Sequence, residues 1–317
     1  MTGNNASAKV FLLHVTVIAV LFALNFILPE YHHGVLARVM VLAVFAMGYN
    51  MLFGYAGLLS LGHAMFFAAG LYGAGLTAYH LGWAMPAAFA AGLVAGGVLS
   101  LVIGLLALRT TGVAFMIVTM MFAQVCYLLT FYFSEWTRGD DGLVLGQETR
   151  RIAGLDLTNP ATRYMAALIL FSGVLLITLF IVRSAHGRVL VAIRENEERT
   201  KMLGYDTFAN KLVAVVVSGV ICASAGAAYA LLFGYVGSSF ASVQYSILPL
   251  LWVLLGGAAT TLGPFVGTLF MYYVVDITSS YTSAYLLIVG AALILLVLYF
   301  PKGILGTIRE RWIRWLP

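Results

Sequence analysis

The sequence predicts an all-α fold, that of a polytopic helical membrane protein. Of its 317 residues, 62% are hydrophobic and only 9% are charged, and the mean hydropathy is +0.99. A soluble domain is only about half apolar and carries enough charge to cover its surface. The apolar runs are continuous and approach the ~20 residues that a helix needs to cross a bilayer, whereas a membrane barrel shows alternating segments of about ten residues. We therefore predict a single transmembrane domain over residues 1–317.

Hydropathy places about ten transmembrane helices along the chain. The eighth is too short to cross ~30 Å of hydrocarbon at about 1.5 Å per residue, and glycines and Pro264 lie at its end. Glycines also break the stretch GYAGLLSLGHAMFF, which begins at Gly54. We predict interrupted helices near 54–62 and 246–263, as in transport proteins whose broken helices line a cavity. The predicted spans are 10–28, 35–53, 63–81, 84–107, 112–133, 163–182, 210–232, 246–258, 261–278 and 284–300.

Lysines and arginines in the short loops predict the orientation of the chain. Segment 183–211 holds six of them and the tail 301–317 holds four, and ten spans place both segments on the same side. Because cytoplasmic loops are enriched in these residues, we expect both termini, a loop of about 183–209 and the tail in the cytoplasm. A long loop of about 134–162 is then external. No long basic block appears, so we expect no nucleic-acid partner.

The segment GRVLVAIRENEERTKMLGYD, residues 187–206, concentrates charge between two apolar spans. Gly204 stands where a glycine would end a helix, so we predict one short helix here. Three pairs have the i,i+4 spacing of helical ion pairs: Arg194/Glu198, Glu195/Arg199 and Glu197/Lys201. The helix is either a solvated spacer or a docking helix for a soluble partner, with its apolar anchors among Val189, Ile193 and Leu203.

Polar residues within the apolar spans are candidates for contact with a transported solute. Hydrogen bonding between helices explains Asn50 and Gln124 as well as solute contact does, and it explains His63 better. For Tyr55 and Ser60, packing and lining a path are equal alternatives. GYVGSSF, beginning at Gly234, repeats the Gly-Tyr-x-Gly pattern in the second half. The candidates for the translocation path are Asn50, Tyr55, Gly57, Ser60, His63, Gln124 and Tyr235.

Four segments resemble the permeases of branched-chain amino acid ABC transporters, in particular the LivM-like branch. GYAGLLSLGHAMFF is similar to that family's Gly-Tyr-x-Gly-x-x-Ser-Leu-Gly-x-x-x-Phe element. TRGDDGL, residues 137–143, resembles an external Thr-Gly-Gly-x-x-Gly-Leu with Arg138 in place of a glycine, and PKGILG, residues 301–306, resembles the Pro-x-Gly-Leu-x-Gly ending. The family's cytoplasmic Gly-Arg-x-x-x-Ala-x-Arg-Glu segment with its later glycine is matched by Gly187, Arg188, Ala192, Arg194, Glu195 and Gly204.

The resemblance implies an ATP-driven importer in the bacterial inner membrane. Its expected partners are two cytoplasmic ABC ATPase subunits, a substrate-binding protein outside and a second, LivH-like permease, although a homodimer stays open. The chain has no G-x-x-x-x-G-K-[ST] phosphate loop. We therefore expect no enzyme activity and no cofactor in this chain, with ATP and Mg²⁺ held by the ATPase subunits.

The resemblance also assigns roles to residues. The residues expected to couple the permease to the ATPase are Gly187, Arg188, Ala192, Arg194, Glu195, Glu198 and Gly204. Docking of the binding protein is expected at Thr137, Arg138, Asp140 and Asp141. Two adjacent aspartates supply too few oxygen ligands for Mg²⁺ or Ca²⁺, so we predict no metal site.

The expected substrates are branched-chain or other hydrophobic amino acids, with an aromatic or short carboxylic acid, an amide or urea as alternatives. A stand-alone secondary transporter or channel is the competing class, but no Lys, Arg or Glu lies in the middle of a span to serve ion coupling. An intramembrane enzyme would need further metal ligands beside Asp140 and Asp141.

Overall fold

The computed structural model describes residues 3–152, 155–282 and 302–311, with the isolated positions 284, 287, 290, 291, 294, 298 and 299. It confirms the all-α membrane fold. Six of the described helices are long and apolar enough to cross a membrane. The helices are α1 (Gly3–Ile27), α2 (Glu30–Asn50), α3 (Ala64–His80), α4 (Met85–Ala107), α5 (Val113–Tyr132), α6 (Ser134–Thr137), α7 (Pro160–Arg183), α8 (Ala185–Glu195), α9 (Glu197–Met202), α10 (Thr207–Phe233), α11 (Val243–Gly256), α12 (Gly263–Tyr281) and α13 (Gly303–Arg311).

Nine predicted spans correspond to helices α1 to α5, α7 and α10 to α12. The tenth, 284–300, falls largely outside the described residues. Helix α11 has 14 residues, which confirms that the eighth span is short. It runs without a break from Val243 to Gly256, so the interruption covers only residues 257–262 and not the whole predicted stretch.

Within the described ranges, regular strands are restricted to four two-residue segments in the connections: β1 (Leu143–Val144), β2 (Arg151–Ile152), β3 (Leu155–Asp156) and β4 (Tyr235–Val236). Strands β1 and β4 pair antiparallel, as do β2 and β3. The first pair joins the α5–α7 loop to the connection after α10, and Arg150 reinforces that junction. Its Nε donates to the carbonyl of Leu231 at 3.1 Å, and another guanidinium nitrogen bonds the carbonyl of Leu232.

Helix α2 lies at the centre of the bundle, with 94% of its spanning segment buried. It packs against α7, α10, α11 and α12, while α10 also packs against α3 and α4. By contrast, only 28% of the spanning segment of α4 and 22% of that of α5 is buried, and these two helices lie at the edge of the bundle. The described part of the chain therefore has a buried central helix and a peripheral face formed mainly by α4 and α5.

Small residues allow α3 and α10 to pack backbone against backbone. A side chain at Gly226 would overlap the carbonyl of Phe67, and one at Gly70 would overlap the carbonyl of Ala223. Membrane helices lack a hydrophobic driving force for association and depend on such close van der Waals packing. Both glycines are therefore part of the contact that holds α3 and α10 together.

We expect Gly226→Val to lower the melting temperature of the detergent-solubilised protein, because over-packing costs about 1–3 kcal/mol or more. Gly173→Val is the matched control, since nothing lies within 4 Å of a Cβ at that position. Thermal unfolding of the two variants measures the difference, and equal melting temperatures would contradict this packing.

Candidate functional site

The first interruption follows α2. The helix passes into a single π-helical turn, Met51–Tyr55, and the chain then stays non-helical until α3 begins at Ala64. Gly57 has a φ of +72°, which favours glycine, and a side chain at Gly54 would come within 2.6 Å of the Ala259 amide nitrogen. The glycines thus allow both the turn and a close approach to the second interruption.

Asn50 connects the two interruptions. Its Nδ2 donates to the carbonyl of Thr260 at 2.9 Å, and its Oδ1 accepts from the amide of Ala259 at 3.0 Å. Ala259 itself has a left-handed φ of +58°. A single buried amide side chain therefore supplies partners to two backbone groups that the break between α11 and α12 releases. His14 adds a bond from α1, with its Nε2 2.6 Å from Thr261 Oγ1.

The polar residues after the first break also bond within the bundle. His63 is fully buried, and its Nε2 lies 3.0 Å from Ser218 Oγ, which donates to the carbonyl of Gly48. Ser60 Oγ accepts from the amide of Gly62 at 3.2 Å. Tyr55 is buried as well, and its hydroxyl has no hydrogen-bond partner among the described residues. These three side chains and Asn50 lie inside the bundle and do not face an open passage in this conformation.

The other three path candidates are at the surface. Gly57 and Gln124 are exposed, and Tyr235 is 37% exposed. Gln124 lies on the outer face of α5 among apolar side chains such as Met121, Val125 and Leu128. An amide in the middle of such a face is costly against lipid, so this face of α5 suits a protein or aqueous neighbour.

The charged segment forms two helices, and the prediction of one is wrong. Helix α8 ends at Glu195, and Asn196 takes an extended conformation with its Oδ1 accepting from the amide of Arg199 at 2.9 Å. Asn196 is an N-cap, and its side chain begins α9 as a new helix. Gly204, with a φ of +88°, lies just beyond α9.

The break at Asn196 also changes the ion pairs. Of the three predicted pairs only Glu197–Lys201 forms, at 3.7 Å. Because the helix axis changes at residue 196, Arg194 and Glu195 no longer lie one turn from Glu198 and Arg199. Arg194 instead pairs with the neighbouring Glu195 at 2.6 Å, and Lys201 pairs with Glu198 at 2.9 Å.

Arg194 joins α8 to the first interruption. Its Nη1 donates to the carbonyl of Gly54 at 2.6 Å, and a side chain at Gly57 would come within 2.6 Å of its Cγ. The π-helical turn frees that carbonyl, and the absence of a Cβ at Gly57 makes room for the arginine stem. Two of the four segments that carried the resemblance are therefore in direct contact, although 140 positions separate the bonded residues.

Glu197 anchors α9 to α10 through an ion pair with Lys211, whose side chain is only 10% exposed. Thr207 Oγ1 also donates to this carboxylate at 3.1 Å. Partial burial opposes the charged form, but the bond from Lys211 outweighs it and holds the pKa of Glu197 below its ordinary value. Helical spacing predicts only the pair of Glu197 with Lys201. The buried partner, Lys211, lies on the next long helix, and no local spacing indicates it.

Of the three apolar residues predicted to anchor a partner, two pack within the protein and one is exposed. Ile193 is 4% exposed and Val189 is partly buried, so both pack within the protein. Leu203 is 75% exposed, and its role as a docking residue stays a prediction. It stands in an exposed apolar patch of four residues: Met202, Leu203, Tyr205 and Phe208. Of the remaining predicted coupling residues, Gly187 is buried against the carbonyls of α7, and Arg188, Ala192 and Glu198 are exposed.

The TRGDDGL turn packs onto the rest of the protein. Buried Thr137 donates from Oγ1 to the carbonyl of Thr130 at 2.5 Å and accepts from the amide of Gly139 at 3.1 Å. Asp140 accepts from Ser238 Oγ at 3.1 Å, and Asp141 is exposed. Pairing of β1 with β4 then makes this turn and the Gly-Tyr-x-Gly segment at 234 one continuous surface.

Arg138 occupies a position that favours glycine, in agreement with its place in the resemblance. Its φ of 59° is left-handed. The guanidinium lies 5.5 Å over the ring of Tyr79, and Nη2 donates to the tyrosine hydroxyl at 2.8 Å. These contacts with α3 help to offset the conformational cost of an arginine at this position.

We expect Asn50→Leu to destabilise the protein, because each buried backbone group left without a partner costs about 1–3 kcal/mol. Gln124→Leu is the control: its amide is exposed and makes no hydrogen bond to the described residues. Thermal unfolding in detergent should show a lower melting temperature for the Asn50 variant only. Equal melting of both variants would show that Asn50 is not the link between the interruptions.

The family described as "Branched-chain amino acid transport system / permease component" matches residues 32–298. The high-affinity branched-chain amino acid transport system permease proteins LivM of Salmonella typhimurium and Escherichia coli are each 26% identical to the chain, over 98% of it and 77% of their own length. A probable LivM permease of Methanocaldococcus jannaschii is 28% identical over 44% of this chain and 46% of its own. No solved structure matches the chain.

The family match takes in well over half of the chain, including both interruptions and the α8–α9 segment. It agrees with a fold of many apolar helices and with the resemblance found in the four motifs. The chain therefore belongs to the branched-chain amino acid transport system permease family, and it is a multi-pass membrane transport component, not an enzyme.

Proposed function

We propose that this chain is a permease subunit of an ATP-driven importer that moves branched-chain or other hydrophobic amino acids across the bacterial inner membrane. It works with two cytoplasmic ABC ATPase subunits, which hold ATP and Mg²⁺, a second, LivH-like permease and an external substrate-binding protein. The family and the two LivM relatives support this assignment. The α8–α9 segment, α13 and both termini then face the cytoplasm, and the α5–α7 loop faces outward.

The bond from Arg194 to Gly54 is the observation that carries the mechanism. An ATPase that moves α8 pulls on the carbonyl of Gly54, and therefore on the first interruption. Asn50, four residues before Gly54, passes that displacement to the second interruption through Ala259 and Thr260. The chain thus has a continuous hydrogen-bonded route from its charged segment to both broken helices. Hydrogen-bond networks of this kind carry coupling between distant sites when they have two discrete arrangements.

The apolar patch of Met202, Leu203, Tyr205 and Phe208 is the proposed contact with the ATPase. It is exposed, lies at the tip of the α8–α9 segment and is flanked by charged residues of α9. Buried apolar anchors surrounded by a polar rim carry most of the affinity of protein interfaces. The charges of Glu198 and Arg199 then orient the partner, and the patch supplies the attraction.

The exposed face of α5 is the proposed wall of the translocation path against the second permease. It combines apolar side chains with the neutral amide of Gln124. Tyr235 stands beside the TRGDDGL turn, where the binding protein would dock on Thr137, Arg138, Asp140 and Asp141. A passage lined in this way suits an apolar solute without requiring a coupling ion.

The transport experiment compares Arg194→Met with Arg109→Met in proteoliposomes that contain both permeases and both ATPases. With loaded binding protein outside and ATP inside, we expect Arg194→Met to reduce leucine uptake about tenfold or more, since a hydrogen bond from a charged group contributes about 1.5–3 kcal/mol. Arg109 is an exposed arginine of the α4–α5 connection that makes no side-chain hydrogen bond to either interruption among the described residues, and its variant should retain uptake. Equal uptake by the two variants would refute the route through Arg194, and leucine accumulation by this chain alone would refute the importer assignment.

Docking of the ATPase is tested by co-purification. Leu203→Asp should remove the ATPase subunits from the purified permease pair, because it places a charge in the apolar patch. Leu81→Asp is the matched control: Leu81 is 60% exposed and follows α3, away from the α8–α9 segment. Retention of the ATPases by the Leu203 variant, or their loss from the Leu81 variant, would place the contact elsewhere.

A further inference from the structure

A cavity of about 400 Å³ lies where α13 meets the interruption between α11 and α12. Leu254, Ala258 and Ala259 line one side of it, and Lys302, Arg309 and Glu310 line another. Arg194 of α8 also reaches its wall. This volume is in the range of about 300–1,000 Å³ that is typical of small-molecule sites.

Close backbone packing gives this cavity its shape. A side chain at Gly303 would come within 2.5 Å of the Cα of Gly257, and one at Gly257 would come within 2.8 Å of the amide nitrogen of Gly306. Both Gly257 and Gly303 have positive φ angles, +117° and +74°. Helix α13 is therefore held directly against the interruption, and the space between them is a built feature of the fold.

The lining of the cavity is electropositive. Three of its residues are cations and only Glu310 is an anion. Lys302 is paired with Glu310, and Arg194 is paired with Glu195. The half-buried Arg309 has no hydrogen bond or ion pair with the described residues. One guanidinium group is thus left to bind an anionic group, and guanidinium binds carboxylate well because two N–H groups match its two oxygens.

A second cavity beside Arg194 provides a contrast. It has a volume of about 560 Å³ and lies between the α8–α9 segment and the α4–α5 connection. Its lining has three cations (Arg194, Lys201 and Lys211) and three carboxylates (Glu195, Glu197 and Glu198). This lining is balanced in charge, so of these two cavities in the described part of the chain the α13 cavity alone has an excess of cations.

The α13 cavity also has an apolar side. Leu254, Ala258 and Ala259 offer a surface for a small aliphatic group in the same cavity as the cations. The exposed carboxylate of Glu310 can accept hydrogen bonds from Lys302 and from a second ammonium group at the same time. Together these features fit a molecule with one carboxylate, one ammonium group and a short apolar side chain.

We propose that the α13 cavity is an inward-facing site for a hydrophobic α-amino acid, whose carboxylate binds Arg309 and whose side chain packs on Leu254, Ala258 and Ala259. The identity of the ligand and the cytoplasmic position of the site rest on the proposed function. The bound amino acid contacts α13, the second interruption and Arg194 together. It therefore holds the charged segment and the broken helix in one arrangement, and accumulated product slows further import.

The first experiment measures binding of radiolabelled L-leucine to the purified complete transporter without ATP or binding protein. We expect saturable binding that Arg309→Gln weakens about tenfold or more, the loss typical of a charge-assisted hydrogen bond. Arg109→Gln is the matched control, an exposed arginine in the α4–α5 connection that does not line the cavity. Leucine bound elsewhere along the path does not depend on Arg309. Absence of leucine binding, or equal affinity in wild type and Arg309→Gln, would overturn the proposal.

Other occupants of the same cationic site are tested in parallel. Isovalerate, which has the carboxylate and the aliphatic chain but no ammonium group, should compete more weakly than leucine, and inorganic phosphate should not compete. Leucine should bind equally in nanodiscs with and without anionic phospholipid. Displacement by phosphate, or binding only where anionic lipid is absent, would assign the cavity to a phosphate or a lipid headgroup and overturn the amino acid.

The second experiment measures uptake into proteoliposomes preloaded with L-leucine or left empty. Internal leucine should slow wild-type and Arg109→Gln uptake several-fold and leave Arg309→Gln unaffected. Uptake into empty vesicles tests the proposed function separately, because it does not require the inner site. Normal uptake with identical inhibition of all three proteins would refute the site alone, and no uptake of any hydrophobic amino acid would refute the proposed function.

Discussion

Backbone amides and carbonyls at membrane depth must find partners within the protein, and this constraint explains the organisation of this permease around its broken helices. Each interruption frees groups that a continuous helix would pair, and lipid cannot replace the lost bonds. Asn50 satisfies two of them at the second interruption, and Arg194 satisfies one at the first. The side chains that hydrogen-bond to the freed backbone groups are thus the same ones that link separate parts of the chain.

This arrangement separates the residues that build the broken helices from those available to a solute. His63, Ser60 and Asn50 are buried and hydrogen-bonded, so they maintain the shape of the interruptions. Gln124 lies on the exposed face of α5, at the edge of the bundle. Under the proposed function the chain shares its path with a second permease, and such a division follows because the partner then completes the wall of the path.

The α8–α9 segment has the same division on a smaller scale. Arg194, Ile193 and Glu197 face the protein, while Glu198, Leu203 and Met202 face outward. Its inner residues connect it to the first interruption and to α10, and its outer residues form the apolar patch and the charged rim. Because Asn196 ends one helix and caps the next, each group can point in its own direction. In a single straight helix the inner and outer residues would have to share one axis. Such a helix would be less suited to contacting the first interruption and α10 on one side while presenting the apolar patch on the other.

The sequence by itself determined the membrane fold, the helices α1 to α5, α7 and α10 to α12, the short eighth span and the family. The ends of these helices were predicted to within a few residues, except that α1 and α2 begin several residues earlier than predicted. These follow from local signals: length of apolar run, glycine position and motif order. It also drew attention to Arg194, Asn50 and Leu203, but not to their partners. Only the tertiary structure decided that Arg194 bonds Gly54, that Asn50 bonds Ala259 and Thr260, that Glu197 pairs with Lys211 and that Arg309 lines a cavity. Hydropathy and helical periodicity describe neighbours along the chain, whereas each of these contacts joins residues that only the packing of distant helices brings together.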